Sequence, residues 1–185
     1  MEQDRIMNKF PKYGIKTFVR DIFDANSIYN FLRTLRKAEY YYNKKRFSLL
    51  QYYYRYRLKI ISKNLGFDIP LNTCGPGLSL PHYGSIIING ACQIGKNCRI
   101  HSCVNIGASG GSTKVPQLGD NVYIGPSAVI FGDITIASNI TIGANSTVNK
   151  SFVDEHVAIA GTPAKIIKRD MQNWLVFNKL YPSIS

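Results

Sequence analysis

The stretches "IIINGACQIGKNCRIHSCVNIG" (86–107) and "LGDNVYIGPSAVIFGDITIASNITIGANSTVNK" (118–150) decide the fold. Stepping by six from Ile88 gives Ile88, Ile94, Ile100 and Ile106. Stepping again from Leu118 gives Leu118, Ile124, Ile130, Ile136, Ile142 and Val148. Every slot is aliphatic. Four residues after most of them a second small or branched residue recurs, at Cys92, Cys98, Val104, Val122, Ala128, Ile134, Ile140 and Ser146. Glycine often follows the aliphatic residue directly, at Gly95, Gly107, Gly119, Gly125 and Gly143. A period of six fits neither a heptad nor strand alternation. It fits a parallel β-helix, in which each hexad forms one short strand and a turn, and three hexads close a triangular coil. The aliphatic side chains then stack inside in layers, and glycines allow tight corners.

The period fails once, between Ile106 and Leu118. The text there, "GASGGSTKVPQ" (107–117), cannot fill an aliphatic stack and is expected to leave the prism as a loop. Loops carried on a rigid scaffold often hold function.

Upstream, the period and the charge both change. Of 23 Lys and Arg, 15 lie in residues 1–66 against five acidic residues, so the first third carries +10 of the net +12. Helical spacing of Ile28, Phe31, Leu32 and Leu35 predicts a helix capped by Asn26 or Ser27. A second helix is expected to place Leu49, Tyr53, Tyr56, Ile60 and Ile61 near one face and to end at Gly66. One more short helix is expected after Pro11. The organisation is therefore a basic, tyrosine-rich helical segment (1–66), a β-helix (67–163) and a C-terminal tail or short helix (164–185).

The charged start "MEQDRIMNKF" lacks the apolar core of a signal peptide, and no stretch is apolar for long enough to span a bilayer. Cys74, Cys92, Cys98 and Cys103 show no paired metal spacing, which fits free thiols in the cytoplasm. Cys92 and Cys98 fall in apolar slots of the repeat, where cysteine packs as a small hydrophobe rather than as an acyl-carrying nucleophile.

The chain has three histidines. Their separations, 19 and 55 residues, do not give the close pair that a zinc site of a β-helix carbonic anhydrase uses, and no metal is expected. His156 lies in the polar "DEHV" and is expected in solvent, while His101 takes a corner slot of the repeat, pointing outward or joining a site. His82, in "LPHYGSIIING" (80–90), falls on the six-residue slot before Ile88, at the point where the repeat takes hold.

The texts "GFDIPLNTCGPGLSLPHYGSIIINGACQIGKNCRIHSCVNIGAS", "PQLGDNVYIGPSAVIFGDITIASNITIGANSTVNKS" and "AIAGTPAKIIKR" resemble the hexapeptide-repeat acyltransferases, specifically their serine-acetyltransferase-like branch. "LRKAEYYYN" (35–43) is also similar to members of that branch linked to surface polysaccharides. The resemblance implies a mainly β chain, a left-handed parallel β-helix preceded by α-helices and followed by a short C-terminal helix. It implies acetyl-CoA as donor, a hydroxyl compound as acceptor, and a homotrimer with the donor in a groove between subunits. His82 would be the base, and Asp68 the carboxylate that orients it. Pro126 and Ala144 would line the donor groove, and Lys150, Lys165 and Lys168 would meet its phosphates. Histidine suits the task because its pKa lies near neutral pH.

Relative to serine acetyltransferases the pattern departs at two places: Pro81 stands where an aspartate normally precedes the histidine, and Lys114 and Val115 stand where an Arg-His pair normally ends the loop. The reading that follows is an acceptor sugar of a cell-surface polysaccharide or its precursor, with L-serine as the alternative and Lys114 as its carboxylate partner. The tyrosines at 40–42, 52–54 and 56, interleaved with Lys and Arg, suggest peripheral contact with an anionic membrane, or alternatively a solvated cap over the first coil. Nucleic acid is not expected as a partner, and a non-catalytic binding protein is the remoter alternative.

Overall fold

The structure, a computed structural model, describes residues 1–12, 14, 27–44 and 49–177. Among the described residues, helices α1 (Glu2–Met7), α2 (Ile28–Asn43) and α3 (Leu49–Leu65) precede thirteen short strands, and α4 (Trp174–Phe177) follows them. The strands form three parallel sheets that run along the faces of a left-handed prism.

The first sheet joins β1 (Phe67–Asp68), β2 (Ile86–Ile88), β5 (Val104–Gly107), β8 (Val129–Phe131) and β11 (Thr147–Val148). The second, narrower one joins β3 (Gln93–Ile94), β6 (Gln117–Leu118) and β9 (Thr135–Ile136). The third joins β4 (Arg99–Ile100), β7 (Tyr123–Ile124), β10 (Thr141–Ile142) and β12 (Ala158–Gly161). It ends in the antiparallel β13 (Ala164–Lys168), so the residues expected to begin the tail close a hairpin over the last coil.

Register follows the period. Ile88 pairs with Ile106 and Ile106 with Ile130, Ile94 with Leu118 and Leu118 with Ile136, Ile100 with Ile124 and Ile124 with Ile142. These side chains and their small partners are buried, as the period requires. Each isoleucine removed from water contributes roughly 1.5–3 kcal/mol, and each coil is stabilised by its neighbours. The stretch between β5 and β6 does leave the prism, with residues 110–114 exposed and Val115 turned back into the core.

The glycines have a different job from the one expected. A Cβ on Gly95 would lie 2.5 Å from the Gly119 carbonyl carbon, so this glycine permits close stacking of coils rather than an unusual φ. The left-handed corners are asparagines instead: Asn97, Asn121 and Asn139 have φ of 55, 59 and 61°. Asparagine tolerates that region. Their amides form a ladder, Asn97 donating to Asn121 (3.1 Å) and Asn121 to Asn139 (3.0 Å).

Ser27 caps α2, accepting from the Asn30 N–H, and α2 buries Phe31, Leu32 and Leu35. Gly66 ends α3 at φ +77° as expected. The buried stripe of α3 is Leu58, Ile61 and Leu65, whereas Leu49, Tyr53, Tyr56 and Ile60 are exposed. Of the face expected for this helix, only Ile61 is right, because apolar residues occur on both sides and the stripe that packs on α2 and the first coil wins. The short helix at this end precedes Pro11; the segment after Pro11 falls mostly outside the described residues. Asp4 of α1 is 2% exposed and accepts from Arg36 and from the Gly77 and Leu78 N–H groups. This node pins α1 and α2 to the first coil.

Candidate active site

His82 belongs to the turn that joins the first coil to the second. The Ser79–Arg99 bridge places Leu80, not His82, beneath Ile100 in the aliphatic stack. Leu80 and Ile88 are eight residues apart rather than six, so the added length swings the ring of His82 out into solvent. The register suggested by the spacing is therefore shifted, as Pro81 and Gly84 allow.

One longitudinal edge of the prism gathers most of the expected residues. After each strand of the third sheet the chain turns toward the first, at Pro81–His82, His101–Ser102, Gly125–Pro126 and Gly143–Ala144. Hydrogen bonds tie these turns together: Ser127 N–H to Ser102 O (3.0 Å), and Asn145 N–H to Pro126 O (2.9 Å). His82 thus stands at one end of a row that continues through exposed Pro126 and Ala144. Exposed Lys165 and Lys168 lie on β13, which leaves the Thr162-Pro163 turn beside this edge. Lys150 does not join them within one chain. It follows β11 at another corner and lies over the Phe152 ring at 5.4 Å.

The structure also brings His101 to His82, with ring centroids 5.7 Å apart. Their separation of 19 residues looked too long for a close pair, but it is about one coil, and so it stacks them. No group of three His, Cys, Asp or Glu among the described residues could hold a metal ion. His101 is half-buried, packs on Tyr123 (5.0 Å) and accepts from Arg99 Nε at 3.4 Å. Burial first, then the Arg99 charge and His82, push its pKa down to about 4. His101 is therefore neutral at pH 7, with its proton on Nδ1. His156 is exposed, and its Nδ1 is 3.3 Å from the Met171 carbonyl.

A cleft of about 340 Å³ opens beside His82, between α1 and the first coil, with Lys9, Phe10, Pro81 and Arg99 on its walls. Arg99 donates Nη1–H to Ser79 Oγ (3.3 Å), and its guanidinium rests over the Trp174 ring at 5.5 Å. Arg99, Ser79 and Tyr123 were not found from the sequence. Arg99 and Tyr123 hold the outward slot just before a stacked isoleucine, where the period places no constraint; a cation in that slot next to the histidine turn was the available signal.

Asp68 lies in β1, exposed, in a different and larger cleft of about 660 Å³ with Lys59 and Lys63 of α3. Its segment stacks on the histidine turn through Gly66 and Gly84, the Gly84 N–H bonding to Leu65 O (3.2 Å). No hydrogen bond joins Asp68 to His82 among the described residues. Lys114 of the loop pairs with Asp133. Cys74, Cys92 and Cys98 are buried and free; burial pushes the Cys74 thiol up to about 12 and also raises Cys92 and Cys98, which suits packing and not nucleophilic attack.

Comparison with known proteins agrees with the fold. Residues 116–150 match the bacterial transferase hexapeptide (six repeats) family. The chain is 38% identical over 98 residues to a serine acetyltransferase of Staphylococcus xylosus, covering 52% of this chain and 45% of that protein. It spans about half the length of the curated relatives it matches. Among solved structures it is similar to serine acetyltransferase from Brucella abortus strain S19, with a TM-score of 0.68 and 26% identity over 91% of this chain and 68% of that one. A coenzyme A complex of the Brucella abortus enzyme gives a TM-score of 0.65 and 28% identity over 77% of this chain and 56% of that one. The fold is a left-handed β-helix built on a hexapeptide repeat, and the chain is similar to serine acetyltransferases over that part.

Proposed function

We propose that this chain is an acetyl-CoA-dependent O-acetyltransferase with His82 as general base. The observation that carries the reading is the prism edge, which aligns an exposed histidine with the Pro126 and Ala144 turns in one row. The imidazole takes the proton of the acceptor hydroxyl, and the hydroxyl oxygen attacks the thioester carbonyl. A tetrahedral oxyanion forms. It collapses with loss of the coenzyme A thiolate, which receives the proton from His82. Lys165 and Lys168, beside the groove, fit the donor's phosphates, and Lys150 would reach them from an adjacent copy in a homotrimer. Asp68 as the orienting carboxylate rests on the stacking of its segment against the His82 turn; a lower kcat with unchanged coenzyme A binding in Asp68→Asn tests it.

For the acceptor, the serine acetyltransferase relatives favour L-serine over the polysaccharide sugar expected from the sequence. The sugar reading keeps one observation in its favour: Pro81 and the paired Lys114 leave serine without the partners its family supplies. Acetyl-CoA consumption across L-serine and a panel of neutral and acidic sugars decides between them, since turnover with serine alone removes the sugar. No helix among the described residues is long and apolar enough to cross a membrane. The exposed Tyr52, Tyr53 and Tyr56 of α3, beside Arg55 and Lys59, support peripheral contact with an anionic bilayer on the cytoplasmic side.

A further inference from the structure

Arg99 is placed for a ligand. It is half-buried on the wall of the His82 cleft, and its hydrogen bonds go only to neutral groups, Ser79 Oγ and His101 Nε2. Among the described residues no carboxylate pairs with it, and its Nη2 donates to nothing. Among the described residues the other ionisable groups around it are Lys9, His82, His101 and Tyr123, so the described wall of the cleft is cationic and carries no acidic side chain. A guanidinium drawn partly out of water without a counter-charge is costly. Trp174 and Ser79 nevertheless hold it in one orientation, which spares a ligand the entropy of ordering it. The loop cation that would otherwise meet an anionic acceptor, Lys114, is occupied by Asp133.

We propose that Arg99 binds a carboxylate of the acceptor, in the cleft between α1 and the first coil, so that the acceptor's hydroxyl lies beside His82. The acceptor class is then a hydroxyl compound bearing a carboxylate, whether a hydroxy amino acid or an acidic sugar. The orientation toward His82 rests on the reading of that residue as base; the carboxylate site itself does not. A planar fork of donors suits a carboxylate.

Calorimetric titration of the full chain with L-serine and D-glucuronate, against L-serinamide and D-glucose, tests the site without turnover, and the two acids distinguish the two sources. Wild type is expected to bind one of the acids at least about tenfold more tightly than its neutral counterpart, the worth of a charge-assisted hydrogen bond. Arg99→Gln is expected to lose that preference and Arg99→Lys to keep part of it, with thermal melting confirming that both variants fold. Binding of neither acid by wild type, equal binding of acid and neutral partner, or an acid preference that survives Arg99→Gln overturns the proposal. Arg99-dependent binding without acetyl transfer would remove the catalytic reading and leave this site standing. His82-dependent transfer that ignores Arg99 would do the reverse.

Discussion

Asp4→Ala removes the contact that seals α1 onto the first coil. The Asp4 carboxylate accepts from Arg36 Nε and Nη2 at 3.0 Å each, and from the Gly77 and Leu78 N–H groups at 2.9 Å each. Breaking one side of a buried pair costs roughly 3–5 kcal/mol. Two buried donors left unsatisfied would each add about 1–3 kcal/mol. These do not simply add, because α1 can lift away and let water reach Arg36, Gly77 and Leu78. The six-residue helix therefore limits the loss to what its docking is worth. The expected result is a fall of about 3–5 kcal/mol in the opening free energy of α1, read as lost protection of its amides in hydrogen exchange, with a smaller change in global urea unfolding. Burial raises the Asp4 pKa, but the hydrogen bonds and charge of Arg36 outweigh it and hold the group below the usual aspartate range. Docking is thus fully present above that range and is lost as pH falls below it, through the depressed value of the folded state. Unchanged α1 protection in the variant would show that Asp4 does not hold α1 on the first coil.

Gly95→Ala is expected to destabilise by about 1–3 kcal/mol or more in urea unfolding, since the new methyl meets Gly119 backbone and the Asp120 carboxylate; Asn97→Gly, at a left-handed corner, should cost far less. Ile61→Ala is expected to lose about 2–5 kcal/mol and Ile60→Ala less than about 0.5 kcal/mol, because only Ile61 is buried. His101 is expected to titrate near pH 4 by NMR, with its stabilising contribution full above its ordinary value and lost as pH falls toward 4. For a half-buried ring that contribution is about 1–2 kcal/mol after allowance for solvent screening. In Arg99→Gln the titration should move up toward the ordinary histidine range.

The six-residue period located the interior stack residue by residue, because a layer of the prism tolerates only an aliphatic side chain at that slot. It also located the loop, where Gly, Ser and Thr break the stack. It does not by itself place His82, whose slot in the stack Leu80 takes two residues earlier, since Pro81 and Gly84 lengthen the first turn and no period constrains a turn. Outward slots carry no packing signal, so Arg99 and Tyr123 became visible only once adjacent coils set them side by side. The same holds for His101, whose distance from His82 along the chain hid a ring contact of 5.7 Å. In α3 the pattern was ambiguous for a different reason: apolar residues cover both faces, and packing on α2 and the first coil buries only Leu58, Ile61 and Leu65.

The role proposed for His82, exposed at the end of the row of turns, is to remove the acceptor's proton. The direct measurement is acetyl-CoA consumption with the active acceptor by wild type and His82→Ala, with coenzyme A binding measured alongside. The expected result is a fall in kcat of roughly 10²–10⁴-fold with donor binding retained. Turnover by His82→Ala equal to wild type would contradict it.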